Sequence, residues 1–212
     1  MKGEIKAIIF DIGGVLQART QTRFNRKELH LSGVHELVAK KLKISIDQYF
    51  DAIDSYYVKS IEGSISKKEL LENLSRNLKT PREKIEKLYY KAYSKKFKQD
   101  KLLLSTAKKL KKNYKVAILS DQWHLSKDAH YPKNFQKLFN PVVISCDVGI
   151  RKPAKEIYKL ILKKLKLKPN QVIFIDNQAW NTIPAHALGM NTILHIDTKK
   201  TIQELKQFGV KL

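Results

Sequence analysis

The chain has 212 residues, a formal net charge of +22 and a single cysteine, Cys146. This length can bury a sizeable core, either as one domain or as a core with an insertion. A single cysteine excludes an internal disulfide and a metal cluster held by cysteines, and Cys146 follows an apolar run that favours a small buried side chain. Because neither a run of about 18 apolar residues nor a signal peptide is present, we expect a soluble cytoplasmic protein without a membrane partner.

The positive charge comes almost entirely from lysine, because only six of the 42 basic residues are arginine. Base recognition relies on the arginine fork, so this composition is weak evidence for specific binding of nucleic acid. The positive field still attracts anions, which favours a phosphorylated or carboxylated substrate and permits nonspecific contact with polyanions. The simpler interpretation is that the lysines only keep the protein surface hydrated.

The first predicted element is a buried strand that ends at Phe10, followed at once by Asp11 and then by Gly13 and Gly14. A short apolar run bounded by turn residues is typical of a parallel strand. Open α/β sheets bind their ligands at the carboxyl ends of strands, and glycines let the backbone turn sharply there. Asp11 could therefore be a nucleophile, a metal ligand or both, although a carboxylate that caps a turn is an alternative.

Residues 17–99 show helical periodicity, and no strand signal that would extend the sheet. The first helix carries an apolar stripe within residues 31–44. Three capping boxes predict the starts of the next three helices, the third with proline in the first helical position: Ser45 to Gln48, Ser66 to Glu69 and Thr80 to Glu83. We predict that this helical segment is an insertion, placed to act as a lid.

After Asp100 the pattern alternates between helices and strands, with strands predicted within residues 114–119, 141–145, 171–175 and 191–196. Repeated βα units favour a parallel sheet with helices on both faces. We therefore predict an α/β fold whose five-stranded core is built from residues 1–16 and 100–212. The segment after Ser120 is predicted to be a loop that carries His124 and His130, and His124 could face the site.

Polar residues follow four of these strands, either directly or in the next loop: Asp11, Ser120 with Asp121, Lys152, and Asp176 with Asn177. In a parallel sheet they would meet at one edge. Asp11 could attack an electrophile while Ser120 and Lys152 hold the oxygens of an anion. Asp11 and Asp176 could bind a hard cation such as Mg²⁺. Each residue also has a simpler interpretation: Ser120 as a helix cap, Lys152 as a surface lysine and Asp176 as a turn residue.

Four segments together resemble the ordered motifs of the haloacid dehalogenase (HAD)-like hydrolase superfamily: IIFDIGGVL, AILSD, GIRKP and VIFIDNQAWNTIPAHALGM. The first is most similar to a capped, sugar-phosphatase-like subgroup with the pattern D-x-G-[GN]-V. The resemblance implies a Rossmann-like core and an α-helical cap over residues 17–99. It also implies Mg²⁺-dependent hydrolysis of a small phosphorylated metabolite, a phosphate monoester, through an aspartyl-phosphate.

The same resemblance implies a role for each matching residue. Asp11 would attack phosphorus, with Ser120 and Lys152 as the other catalytic residues. The phosphate-binding residues would be Gly14, Ser120, Asp121 and Lys152. The metal ligands would be Asp11, the backbone carbonyl of Gly13, Asp176 and Asn177.

Two positions depart from the pattern of the superfamily. Most of its phosphatases carry a second aspartate where this chain has Gly13, and that aspartate serves as general acid and base. Loss of such a group typically lowers the rate by about 10²–10⁴-fold, least for a good leaving group such as an anomeric phosphate. Asn177 stands where relatives often have a second acid, which predicts weaker metal binding.

Two alternatives stay open. The stretch NQAWN distantly resembles the fourth motif of the metal-free 2-haloacid dehalogenases, but those enzymes use an arginine early in the cap, and HELVAKKLKI contains none. Val15 also replaces their usual threonine. The other alternative is a catalytically quiet protein that binds phosphorylated ligands or polyanions.

Overall fold

A five-stranded parallel sheet forms the centre of the computed structural model, which describes residues 4–19 and 33–212. Its strands are β1 (Ala7–Phe10), β4 (Lys115–Ser120), β5 (Val142–Ile144), β6 (Val172–Asp176) and β7 (Asn191–Leu194). They lie side by side in the order β5-β4-β1-β6-β7. The predicted α/β fold with a five-stranded parallel sheet is therefore confirmed.

Strand β1 lies in the middle of the sheet and is buried on both faces. Ile8 and Phe10 point into one apolar cluster, with helices α5 (Lys101–Leu110) and α11 (Thr198–Gln207). Ala7 and Ile9 point into the other, with α9 (Lys155–Leu165) and α10 (Ala179–Ala187). A strand covered on both sides needs apolar residues at every position, which explains the unbroken apolar run that precedes Asp11.

Four helices between the first and second strands of the sheet pack around an apolar cluster of their own. They are α1 (Val34–Leu42), α2 (Ile46–Ile61), α3 (Lys67–Asn77) and α4 (Arg82–Lys96). The capping boxes at Ser45 and Ser66 are confirmed, since each side chain accepts a hydrogen bond from the third residue of its helix. Residues 20–32 of the predicted insertion lie outside the described residues.

The third predicted capping box is wrong. Helix α4 begins at Arg82 with Pro81 as its N-cap residue, and no side chain caps it. The hydroxyl of Thr80 instead donates to the carbonyl of Leu78 at 2.9 Å. This contact belongs to the turn that precedes Pro81, so the side chain is no longer available to the helix.

The prediction of helices alone over residues 17–99 is also wrong at both ends. Strands β2 (Gln17–Arg19) and β3 (Phe97–Gln99) pair as an antiparallel ribbon. Each is only three residues long, too short for an alternation of apolar and polar residues to stand out, so no local pattern reveals it. The ribbon brings the two ends of the helical segment together beside the sheet.

The predicted loop after Ser120 contains a helix, α6 (His124–His130), followed by α7 (Lys133–Leu138). Trp123 and Leu125 are buried in the apolar cluster of the helical segment. Cys146 lies in the short helix α8 (Ser145–Val148), where burial raises the pKa of its thiol to about 12. In the described part of the chain, no helix combines the length and the apolar character needed to cross a membrane.

Candidate active site

The candidate site lies at the carboxyl edge of the three central strands. Asp11 follows β1, while Ser120 and Asp176 are the last residues of the neighbouring strands β4 and β6. Phe10 pairs with Ile118 on one side and with Ile175 on the other, so Asp11 is level with Asp176, and Ser120 lies one residue further along its strand. The edge predicted from the strand pattern therefore brings these three residues together.

Lys152 enters this edge from the loop between α8 and α9 and joins two of its carboxylates. Its Nζ lies 3.0 Å from Asp11 Oδ1 and 2.6 Å from Asp176 Oδ2. The side chains are almost fully enclosed, with Lys152 2% exposed and Asp176 0%. Two carboxylates share one ammonium group, so the cluster carries an excess of negative charge. A further cation bound there would balance it.

Burial and neighbouring charges act in opposite directions on these groups. Burial raises the pKa of Asp11 to about 6, with Lys152 opposing the rise and Asp176 adding to it. Burial acts to lower the pKa of the Lys152 ammonium, but the charges of Asp11 and Asp176 outweigh it and the net shift is upward. Lys152 therefore stays charged and favours the ionised, nucleophilic form of Asp11.

Asp176 is held by donors in addition to Lys152. Its Oδ1 accepts from the backbone N–H of Gln178 at 2.8 Å, and Asn181 Nδ2 reaches both carboxylate oxygens at 3.2 and 3.0 Å. Tyr158 donates its hydroxyl to the Asn181 carbonyl at 2.9 Å. Asn181 was not among the predicted site residues, although its place in the first turn of α10, five residues after Asp176, offered a signal.

Asp121, which was predicted to bind phosphate, uses its carboxylate to hold the loop that carries Lys152. Its Oδ1 accepts the backbone N–H of Lys152 at 3.1 Å. This bond fixes the loop that delivers the Lys152 side chain. A carboxylate can only accept hydrogen bonds, so the side chain of Asp121 is suited to positioning Lys152 rather than to holding an anion.

The two glycines after Asp11 have different surroundings. Gly14 has φ +85°, and a Cβ there would lie 2.5 Å from Asn177 Nδ2. The amide of Asn177 therefore lies against the α-carbon of Gly14. A Cβ on Gly13 would meet only Gln122 Nε2 at 3.8 Å and His130 at 3.9 Å, both ordinary contacts.

Ser120 is fully buried and belongs to a polar network that the sequence did not reveal. Ser120 acts to lower the pKa of Asp11 against the larger effect of burial, as a neighbouring hydroxyl donor does. Its Oγ also accepts from Gln122 Nε2 at 3.0 Å. Gln122 in turn contacts His130, whereas His124 bonds Ser60 of α2 through its Nδ1 at 2.8 Å.

The buried histidine His130 makes the free energy of unfolding depend on pH in the acidic range. Burial lowers its pKa to about 4, so between about pH 6.5 and 4 the unfolded chain binds a proton that the folded chain does not. The contribution of the neutral His130 to the free energy of unfolding is fully present above about pH 6.5. It is lost as the pH falls towards about 4. We expect His130→Phe to reduce the loss of unfolding free energy between pH 7 and 4.5 by about 2 kcal/mol, measured by urea denaturation. A pH dependence that His130→Phe leaves unchanged would contradict this role of the buried ring.

The donor set at this edge fits Mg²⁺ with a phosphate as co-ligand. Mg²⁺ sites commonly use one or two carboxylates, with waters and substrate phosphates completing the shell. Asp11 and Asp176 supply two, and the carbonyl of Gly13 belongs to the same loop. Within residues 4–19 and 33–212, no three side chains of His, Cys, Asp or Glu form a metal-binding group, so an all-protein cage is not offered there.

Curated relatives match different lengths of the chain. Bifunctional epoxide hydrolase 2 of Sus scrofa is 29% identical over 231 residues, covering 98% of this chain and 40% of that protein. A sesquiterpene phosphatase of Aspergillus oryzae is 32% identical over 90 residues, covering 42% of this chain and 44% of that protein. The chain spans only 20% to 40% of the length of the three epoxide hydrolases that it matches.

A solved structure shares the fold described above. It is the crystal structure of a HAD family enzyme of Bacteroides thetaiotaomicron in complex with magnesium and inorganic phosphate. The TM-score is 0.69 at 21% identity, over 89% of this chain and 93% of that one. The model of the haloacid dehalogenase-like hydrolase family matches residues 5–189, a range that contains Asp11, Ser120, Lys152 and Asp176. The chain therefore belongs to the haloacid dehalogenase-like hydrolases.

Proposed function

We propose that this hydrolase cleaves small phosphate monoesters with Mg²⁺ and forms an aspartyl-phosphate on Asp11. The observation that carries the proposal is the buried contact of Asp11 with Lys152, beside Ser120 and Asp176. A relative named as a phosphatase and a neighbour crystallised with magnesium and inorganic phosphate support it. The sugar-phosphatase-like subgroup and a phosphorylated metabolite as substrate are part of the same proposal.

In the first step a carboxylate oxygen of Asp11 attacks phosphorus and the bond to the leaving alcohol breaks. Lys152 and the Ser120 hydroxyl can hold the phosphoryl oxygens as negative charge shifts onto them. In the second step water cleaves the aspartyl-phosphate and frees Asp11. A bound Mg²⁺, held by Asp11, Asp176 and the Gly13 carbonyl, would neutralise phosphate charge.

The glycine at position 13 shapes the expected substrate range. It offers no side chain to protonate the leaving oxygen, so esters of acidic alcohols should react best. We infer that an anomeric phosphate or p-nitrophenyl phosphate is cleaved faster than a simple alkyl phosphate.

We also propose that the helical segment of residues 17–99 is a cap that closes over the substrate. Its own apolar cluster and the ribbon of β2 and β3 at its ends support this division. A closed cap would exclude water while the phosphoryl group is on Asp11.

Asp11→Asn should abolish this activity. The amide keeps the size of the side chain but is a very poor nucleophile, so we expect kcat to fall by at least about 10³-fold. The assay is phosphate release from sugar phosphates, nucleotides and p-nitrophenyl phosphate, with and without Mg²⁺. Asp54→Asn, an exposed change on α2, is the matched control and should keep full activity.

The same assays separate the alternatives. Turnover that Asp11→Asn leaves unchanged, or that needs no added metal, would contradict the proposed mechanism. Chloride release from a 2-chloro acid without metal would identify a dehalogenase. Salt-sensitive binding to DNA without any turnover would identify a polyanion binder.

A further inference from the structure

Three buried polar side chains that the proposed mechanism leaves unused form a network behind Ser120. Gln122, Ser126 and His130 are each at most 5% exposed. Gln122 Oε1 accepts from Ser126 Oγ at 2.6 Å and from His130 Nδ1 at 3.1 Å. The other end of the amide, Nε2, donates to Ser120 Oγ at 3.0 Å.

The tautomer of His130 decides which way the Gln122 amide points. Burial lowers the pKa of His130 to about 4, so near pH 7 the ring is neutral and carries one proton. Its Nε2 is buried and has no hydrogen-bond partner among the described residues, so the proton lies on Nδ1, which has an acceptor within reach. Nδ1 then donates to Gln122 Oε1, while the single proton of Ser126 can go to Oε1 or to the carbonyl of Trp123. With Oε1 turned to Ser126 and His130, the amide can present only its NH₂ to Ser120.

This orientation determines the direction of the Ser120 proton. A hydroxyl has one hydrogen, and the lone pairs of Ser120 Oγ receive the hydrogen bond from Gln122. The hydrogen of Ser120 is then free to point at Asp11, whose pKa Ser120 acts to lower. Without the amide, the hydroxyl could rotate away from Asp11.

Gly13 leaves room for this arrangement. A Cβ at that position would lie 3.8 Å from Gln122 Nε2 and 3.9 Å from His130 Nδ1, so a longer side chain would grow towards both groups. A carboxylate there would offer Gln122 Nε2 a competing acceptor. The residue that departs from the usual phosphatase pattern is thus the one that keeps the amide available to Ser120.

We propose that Gln122, held by Ser126 and His130, is a positioning residue that directs the Ser120 hydroxyl towards Asp11 and the transferring phosphoryl group. The inference rests on the proposed phosphatase function. Gln122 acts through Ser120 and does not itself touch the reacting atoms.

A double-mutant cycle tests this role. Gln122→Met removes the amide and keeps the chain length, and it should lower kcat/KM for p-nitrophenyl phosphate by about tenfold. In a Ser120→Ala background the same change should lower kcat/KM by less than about twofold, because the group through which it acts is gone. Gln122→Glu is the second variant: its carboxylate accepts the Ser120 proton and should also reduce the rate. Gln203→Met, an exposed change on α11, should have no effect.

Thermal unfolding followed by circular dichroism verifies that each variant is folded. Equal losses from Gln122→Met in both backgrounds would show a merely structural role and overturn the inference, while the proposed function would stand. If the wild-type protein turns over no substrate, the same cycle is measured on the binding of inorganic phosphate by calorimetry. A wild-type protein that neither hydrolyses an ester nor binds phosphate would overturn the proposed function and this inference together.

Discussion

Lys152→Met should abolish hydrolysis and lower the free energy of unfolding at pH 8 by about 3–5 kcal/mol. Lys152 Nζ lies within 3.0 Å of carboxylate oxygens of both Asp11 and Asp176, and all three side chains are buried. Methionine has a similar length but no charge, so the variant leaves two carboxylates enclosed without a cation. Urea denaturation and phosphate release measure the two effects.

The stability loss should itself depend on pH. Burial already raises the pKa of Asp11 to about 6 in the presence of Lys152, and removal of the ammonium group raises it further. The folded variant then holds a proton that the unfolded chain has released, so its stability grows as the pH falls towards about 5. We therefore expect a smaller difference from wild type at pH 5 than at pH 8. Lys163→Met, an exposed control with the same charge change, should shift stability by less than about 0.5 kcal/mol at either pH.

Gly14→Ala should destabilise the protein by about 2–4 kcal/mol, although it adds a single methyl group. Part of the effect is backbone strain, because an alanine at φ +85° costs about 1–2 kcal/mol. The rest is overlap, since the new Cβ would lie 2.5 Å from Asn177 Nδ2. The midpoint of urea unfolding measures the total.

Gly13→Ala is the matched control for this prediction. Its Cβ would meet nothing closer than 3.8 Å and its φ is not in the left-handed region, so stability should change little. Asn177→Ala in the Gly14→Ala background should recover the part due to overlap and leave the strain. Equal stabilities for the two alanine variants would contradict the geometry described for this loop.

Much of the fold could be predicted from the sequence because its signals are local. Strand β1 is apolar at every position, and the capping boxes of α2 and α3 are made by residues three apart. The positions of Asp11, Ser120 and Asp176 at the edge then follow from the parallel order of the strands. Long-range contacts left no such signal: the β2–β3 ribbon joins residues about 80 apart in the chain and depends on the fold around it.

The network around Ser120 could not be predicted for a related reason. Gln122 and His130 are common residue types, and their roles arise only because α6 brings His130 back towards Gln122 and the loop of Gly13. The contact that the Asp121 side chain makes could not be predicted either. Its carboxylate lies beside Ser120 in sequence but is committed to the backbone of Lys152, a partner 31 residues away.

The position of Trp123 limits how freely this architecture can be recombined. Only three residues after Ser120, its ring packs 4.8 Å from that of Tyr89 and 4.9 Å from that of Tyr57, and its Nε1 donates to Tyr93 at 2.8 Å. Trp123 thus joins the helical segment to the end of β4. Separating the two would expose the large apolar ring of Trp123. A chimera that takes residues 17–99 from another protein must therefore also take the segment that matches Trp123 and α6. The unit that can be exchanged consists of two separate stretches of the chain.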